Sequence, residues 1–564
     1  MTSFSKPFKK IFSVFSFKRL FWALFYVFLF CLLLNNSFSY LDPDLGWHLK
    51  AGEDILREKS VPHLNYYNYT LEGKTWVDHE WLLNLVAFLI YSLSGNMGLN
   101  ILFALLALAA LAALHVFAKK SLIGPEDSPG NVFLTVFFLI FGVIAASPHL
   151  GVRMQEIALL CVSLLYAILY RYDKKRDLKI LFALPLLFYF WASAHASFLI
   201  GLFLLFFRIV IMFLKNILIK YFPGSRVSAF FGLEALSDKK RISPLIALSG
   251  LSVGATLLTP YGLELYGFLS DYGNTFYMTH IAEWLPAWYL PIAYWQMAFM
   301  AFALAGFLLY FLNKNKKEKP GLWEVSIFFL FMALAFKSKR HFPLFFFSSL
   351  PLILKSYASV LRPDFGQETR FGGEFREIKT SARSSFFSNA PKFPRAMLLI
   401  TIAFVSLSLL LKTNFAGDSF QYFCRDYPCG ATAFLKANPQ YENLNLFNEY
   451  AWGGYLIWTY PEKKLFIDGR LPQLPFKNHT FLEEYFELLD KDKLAAKLNE
   501  YDIRLVLIRA EERKIKFNFI EKKFFGLDEE KENKDKNELA EFLKSSGDWE
   551  NVYQDQTAAV YLKK

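Results

Sequence analysis

Two acidic clusters with aromatic and imidazole neighbours carry the residue types that can do chemistry. The first is Asp42-Pro43-Asp44, followed by Trp47 and His48. The second is Trp76, Asp78, His79, Glu80 and Trp81. A carboxylate can take the proton of an attacking hydroxyl, and a carboxylate beside an imidazole can orient a substrate or hold a divalent cation. Cationic and further imidazole groups recur in four short runs: His149 and Arg153, His195, His280 with Glu283, and Lys337, Lys339, Arg340 and His341. Guanidinium groups grip phosphate with two parallel hydrogen bonds, which makes Arg153 and Arg340 candidates for holding one. Plainer roles stand beside these. Asp44 can cap a helix over 45–58 and Asp78 one over 80–94. Tyr66, Tyr67, Tyr69 and Trp76 suit sugar stacking or anchoring at a membrane interface. A lysine-rich run such as 337–341 is often a solvated helix end. Asn68-Tyr69-Thr70 is a glycosylation sequon of a kind common by chance.

These residues must be positioned by a membrane-embedded scaffold. Of 564 residues, 54% are hydrophobic, 63 are Phe and only 20% are charged. Such a chain is neither disordered nor a purely cytosolic enzyme. Apolar segments at 20–37, 98–118, 131–147, 157–172, 180–194, 198–218, 244–259, 293–312, 322–337, 342–357 and 396–412 predict about eleven spans. The basic start before residue 20 has no cleavage signal after Leu34, so the first span is expected to be retained.

The shorter apolar segment 81–94 is placed by charge. If it does not span and the N-terminus is cytoplasmic, the inner segments carry 30 Lys/Arg and the outer loops 8. If it spans, the bias reverses. Positive residues favour the cytoplasmic side, so 81–94 reads as a helix along the outer surface. All the candidate residues above then fall on the outer side, with 38–80 as the long first outer loop. On this basis Asp44 and Glu80 are expected to line one outward cavity, with Arg153, His280 or Arg340 on its wall.

Residues 1–412 hold 40 Lys/Arg and 24 Asp/Glu, whereas 413–564 hold 22 and 26. The chain therefore divides into a transmembrane domain, 1–412, and an extracytoplasmic soluble α/β domain, 413–564, joined by a basic linker at 358–395. The basic surplus belongs to membrane topology, not to nucleic-acid binding. Within the tail, strands are expected at Leu444–Asn448, Leu465–Asp468, Arg504–Ile508 and Ala558–Leu562, with helices near 481–498 and 537–545 and an exposed charged insertion at 522–538. Cys424 and Cys429 lack the companions of a zinc site, and facing outward they are expected to form a disulfide.

The order of parts resembles the GT-C-fold glycosyltransferases, including the protein O-mannosyltransferases and the bacterial lipid A aminoarabinose transferases. Those parts are a cytoplasmic start, one span, a long outer loop opening on acidic residues and an interfacial helix before the second span. The runs DPDLGWHLKAGEDIL, VPHLNYYNYTLEGKTWVDHEWL, FNEYAWGGYLIW and FIDGR are similar to those of uncharacterised bacterial multispanning proteins. The resemblance implies a polyprenyl-phosphate-linked sugar as donor and an acidic residue of the first outer loop, Asp42 or Asp44, as base. It also implies a site acid at Glu80 that can bind a divalent metal ion, although Trp81-Leu82-Leu83 stands where the aminoarabinose transferases have Lys-Pro-Pro.

The expected protein is thus a mainly α, polytopic helix bundle of the plasma membrane with an extracytoplasmic C-terminal domain. Its expected activity is transfer of a sugar to an envelope acceptor at the outer face. Asp44, Asp42, Glu80 and His79 are the catalytic candidates. Trp47, His48, Arg153, His280, Glu283, Arg340 and His341 are the substrate-binding ones. Asp44 is favoured as base because a helix starting there presents Trp47 and His48 at the same end, whereas Asp42, next to Pro43, is expected to set the entry geometry of the loop. A non-catalytic transporter or envelope-assembly scaffold is the alternative. The transporter is disfavoured by the gathering of charge at one face in place of mid-membrane charged or broken helices.

Overall fold

The computed structural model describes residues 17–121, 128–175, 177–225, 231, 239–273, 275–313, 319–360, 392–413, 423–511, 515–532 and 538–564. The linker expected at 358–395 lies mostly outside these residues. So do Lys6, Lys9 and Lys10 and part of the 522–538 stretch. All eleven expected apolar segments are helical. Among the described residues, eight helices are long and apolar enough to cross a membrane. The molecule is a polytopic, mainly α membrane protein with a small C-terminal sheet.

Helix boundaries follow local chemistry. Ser128 accepts a hydrogen bond from the Asn131 amide and Pro129 occupies the first position of Pro129–Ala146, where a missing N–H costs nothing. The helix Trp81–Ala118 covers both the expected surface helix and the next span. It breaks at Gly95, whose φ of 60° and ψ of −155° are not helical and which glycine adopts at little steric cost.

The chain forms two compact units. The first comprises Met1–Tyr40, Asn100–Thr259 and His280–Asn414. Its interior explains the phenylalanine content. Phe299 packs edge-on to Phe138, Phe141, Phe342, Phe345 and Phe346, an arrangement that adds quadrupole attraction to dispersion. The helix Phe342–Val360 is buried along almost its whole length.

The second unit comprises Leu41–Leu99, Pro260–Thr279 and Phe415–Lys564. Its sheet has the order β1-β4-β6-β5. Strand β1 (Asn445–Asn448) runs parallel to β4 (Ile503–Arg509), and β6 (Ala558–Lys563) is antiparallel to both β4 and β5 (Trp549–Gln554). The helices Phe481–Glu487 and Lys491–Glu500 lie in the crossover from β1 to β4, as parallel pairing requires. The two-residue strands β2 (Pro475–Phe476) and β3 (His479–Thr480) form a separate ladder. Cys424 and Cys429 are bonded.

One expected strand is missing and one observed strand is unexpected. β5 is absent from the sequence reading because its alternation is polar. Leu465–Asp468 is not a strand. Its backbone is taken up by the Asn448 side chain, which accepts from the Phe466 amide and donates to the Ile467 carbonyl. Leu465 also exchanges hydrogen bonds with Tyr67 and Tyr69 of the loop. An apolar run bonded in this way resembles a strand in composition only.

Candidate active site

Asp44 sits at the N-cap of the helix Leu45–Glu58, yet its carboxylate makes no capping hydrogen bond. Instead Trp47 Nε1 donates to Asp44 Oδ1 at 2.9 Å. The turn before the helix is closed by Asp42, whose Oδ1 accepts from the Asp44 amide at 2.9 Å. Asp42 therefore shapes the entry, as its place beside Pro43 suggests.

The tail motifs pack directly on this turn. A methyl group on Gly46 would stand 2.0 Å from the Gly454 carbonyl oxygen, and one on Gly469 would stand 2.0 Å from Asp44 Oδ1. A methyl group on Gly454 would likewise stand 2.2 Å from the Pro43 carbonyl oxygen, so backbone excludes a side chain at Gly46 and Gly454, whereas at Gly469 the obstacle is the Asp44 side chain, which a methyl group would displace. Tyr450 lies in the field of Asp44 and Asp468. Burial first, then Tyr277, Asp44, Tyr272 and Asp468, push its hydroxyl well above the usual tyrosine range, so it remains a proton donor.

Behind Gly469, Arg470 is fully buried. It forms a 2.7 Å ion pair with Asp468 and donates to Asn65 and Asn68. Its guanidinium lies 4.3 Å from the Tyr67 ring and 4.4 Å from the Trp76 ring. Tyr66 and Tyr67 both donate to the buried Asp54 carboxylate at 2.6 Å. Tyr67 and Trp76 thus stack on an arginine, which occupies the faces that sugar stacking would use. Asn68 is buried and bonded to Arg470, so the sequon is closed to modification.

A second set adjoins the helix Leu45–Glu58. The His48 and Trp47 rings are 3.7 Å apart. His48 Nδ1 meets Asn84 Oδ1 at 2.7 Å and lies 3.6 Å from Glu80 Oε2. Burial drives the His48 pKa down to about 3, so the ring is neutral near pH 7. Asn84 donates to both oxygens of Asp78, which also accepts from the Glu80 amide. Burial raises the Asp78 carboxyl to about 6 against these bonds. Asp78 is thereby tied to the start of the next helix. His79 Nε2 is 3.9 Å from Glu80 Oε1, and its ring packs near Phe268 and Tyr272. Asp44 and Glu80 are therefore linked through Trp47 and His48 within one unit.

Glu80 is not part of a group of three or more candidate ligands among the described residues. His48 Nδ1 is engaged by Asn84, which leaves the Glu80 carboxylate and the His79 imidazole as the groups on offer there; a Mg²⁺ ion held by so few protein ligands takes the rest from water and substrate phosphate. Among the described residues, the one grouping of three or more candidate ligands is His479, Glu484 and Glu487. There Glu484 already meets Lys477, His479, Lys497 and Tyr501, so its charge is neutralised by cations.

The first unit holds the cationic set. Arg153 pairs with Glu283 and lies 5.0 Å from the Tyr40 ring. Burial opposes ionisation of Glu283, but Arg153, Arg340 and His149 overcome it and hold the carboxyl near 2. The Arg340 and Lys339 amides donate to the carbonyls of Glu283 and Leu285, which brings the 280s and the 337–341 run together. Arg340 lies 5.1 Å from the Trp284 ring, and the His341 ring is 5.7 Å from Trp284. The Lys339 ammonium is buried with no hydrogen-bond partner among the described residues. His280 ends the helix Thr275–His280 and is exposed. Sequence reasoning passed over Tyr450, Asp468, Arg470 and Asn84. The FIDGR and FNEYAWGG motifs held three of them, but nothing in the sequence said that the tail folds onto the loop.

No protein-family model matches the chain, and no curated protein matches it. Solved structures do. The archaeal oligosaccharyltransferase AglB from Archaeoglobus fulgidus, in complex with an inhibitory peptide and a dolichol-phosphate, aligns with a TM-score of 0.50 at 10% identity, over 88% of this chain and 70% of that one. The apo form of the Archaeoglobus fulgidus oligosaccharyltransferase aligns at 0.49 and 10%, over 87% and 70%. The likeness to the first shows a GT-C-like fold.

Proposed function

We propose that the chain is a membrane glycosyltransferase that moves a sugar from a polyprenyl-phosphate donor to an envelope acceptor at the outer face of the plasma membrane. The N-terminus is cytoplasmic and the 413–564 domain extracytoplasmic. Asp44 carries the reading. It is an N-cap carboxylate that does not cap, is oriented by Trp47 and is approached by the Gly469 backbone. In this role it takes the proton of the acceptor hydroxyl as that oxygen attacks the sugar carbon. The carbon–oxygen bond to the phosphate breaks, and the leaving phosphate takes the bonding pair. Arg153 and Arg340 stabilise that charge. Lys339 joins them, because a buried ammonium is costly without a counter-charge. Glu80 and His79 orient the acceptor, and Asp42 shapes the loop that presents Asp44. Trp47 and His48 build the wall behind the base, while His280, Glu283 and His341 order the phosphate side.

The neighbour bound to dolichol-phosphate is consistent with a lipid-linked donor. The test is a purified-protein assay against a panel of polyprenyl-phosphate sugars, scoring release of polyprenyl phosphate. If no donor is consumed, the scaffold reading replaces this one.

A further inference from the structure

The first unit contains a cavity that the proposed reaction does not use. It has a volume of about 270 Å³ and is lined at one end of the bundle by Asp173, Lys174, Arg208, Trp323 and Glu324, with Tyr170 beside them. Arg153 precedes the helix Ile157–Lys175 and Asp173 lies in its last turn. At about 1.5 Å per residue, the cavity and the cationic set therefore lie roughly 28 Å apart along that helix. In the sequence, the segments that follow or precede the lining helices, 119–130, 171–179 and 313–320, are among the inner Lys/Arg-bearing ones. The charge bias thus makes this the cytoplasmic end.

The lining is electrically balanced, with two carboxylates and two cations. Arg208 pairs with Asp173 at 2.6 Å and lies 5.2 Å from the Trp323 ring. Lys174 lies 6.0 Å from the Tyr170 ring. Glu324 accepts weakly from the Gly321 amide at 3.4 Å and lies 4.0 Å from the Lys355 ammonium, so it retains acceptor capacity. A simple anion would meet two carboxylates here, and a simple cation two fixed positive groups. A zwitterion satisfies both signs. The remaining wall is largely apolar, with Leu169, Ile327, Pro351 and Leu352, and its two hydroxyls, Tyr166 and Ser348, are bonded to each other, which suits a headgroup still attached to its lipid.

We propose that this cavity binds a phosphate ester bearing a primary ammonium, with the phosphate at Arg208 and Lys174 and the ammonium donating to Glu324. The ethanolamine headgroup of an inner-leaflet phospholipid has this chemistry, and so does free O-phosphoethanolamine. A hydrogen bond to the Glu324 carboxylate requires an N–H donor, so a choline headgroup forfeits that contact and is expected to bind more weakly.

The experiment is native mass spectrometry of the full chain in detergent, titrated with phosphatidylethanolamine, phosphatidylglycerol and phosphatidylcholine of identical acyl chains. One phosphatidylethanolamine should be retained in preference to the other two. Glu324→Gln, which can still cap its helix, should weaken retention about tenfold. Trp323→Leu should also weaken it, and Asp44→Asn should not. Displacement by millimolar O-phosphoethanolamine would assign a soluble source, and resistance to it the lipid. Equal retention of the three lipids would overturn the proposal. So would unchanged selectivity in both cavity variants, with correct folding verified by an unaltered melting curve.

Discussion

At the scale of single residues, the account turns on one carboxylate and the glycine against it. Asp44→Asn keeps the shape and the acceptor for Trp47 but removes the base. Turnover should fall by about 10²–10⁴-fold, with expression and lipid binding nearly unchanged. Gly469→Ala tests the same atom from the tail, because its methyl group must displace Asp44 Oδ1. A shift of that size costs on the order of 10²-fold in rate, so kcat should drop while the melting temperature stays close to wild type. Asp42→Asn should slow turnover less than Asp44→Asn; the reverse order would exchange their roles. Glu484 supplies a pH signature. Burial alone would raise its carboxyl, yet Lys497, Tyr501, Lys477 and His479 hold it near 2, below its usual 4.5. Its contribution to stability is therefore complete above about pH 4.5 and is lost as pH falls toward 2. Hydrogen exchange over 477–501 should accelerate through that window, and Glu484→Gln should bring the faster exchange to neutral pH by stranding two lysines.

At the scale of elements, the apolar helices were legible because bilayer thickness fixes their length and composition. Every expected span is a helix, and the break between 81–94 and the next one falls at Gly95, beside the Ser94-Gly95 end read from the sequence. The tail was less legible. Leu465–Asp468 has a strand's composition but gives its hydrogen bonds to Asn448 and the loop, contacts that local pattern does not encode. The acidic loop was legible as a place of chemistry but not as a structure. That Tyr67 and Trp76 sandwich Arg470 depends on pairing residues some 400 positions apart. Cysteine labelling tests the arrangement of elements across the membrane. Glu58 and Lys491 should be accessible from outside and Lys174 from inside. Gly52 is a poor probe, since a side chain there meets the Asn84 carbonyl at 2.2 Å. Protection of Glu58 together with outside exposure of Lys174 would reverse the layout.

At the scale of the whole molecule, the fold is GT-C-like, and the sequence motifs that most mark this chain prove to be structural partners. The acidic opening of the first loop and the Gly-Gly and FIDGR runs of the tail belong to one compact unit. Removing the tail should therefore disorder Asp44 as well as the sheet. A version ending near residue 412 should lose all donor turnover even if its helices insert. The most direct measurement of the central claim is donor consumption by the purified full chain across polyprenyl-phosphate sugars, run beside Asp44→Asn and Asp42→Asn. The account predicts release of polyprenyl phosphate from at least one donor, lost by 10²-fold or more in Asp44→Asn. Wild-type turnover in both variants, or no consumption of any lipid-linked sugar, would contradict it.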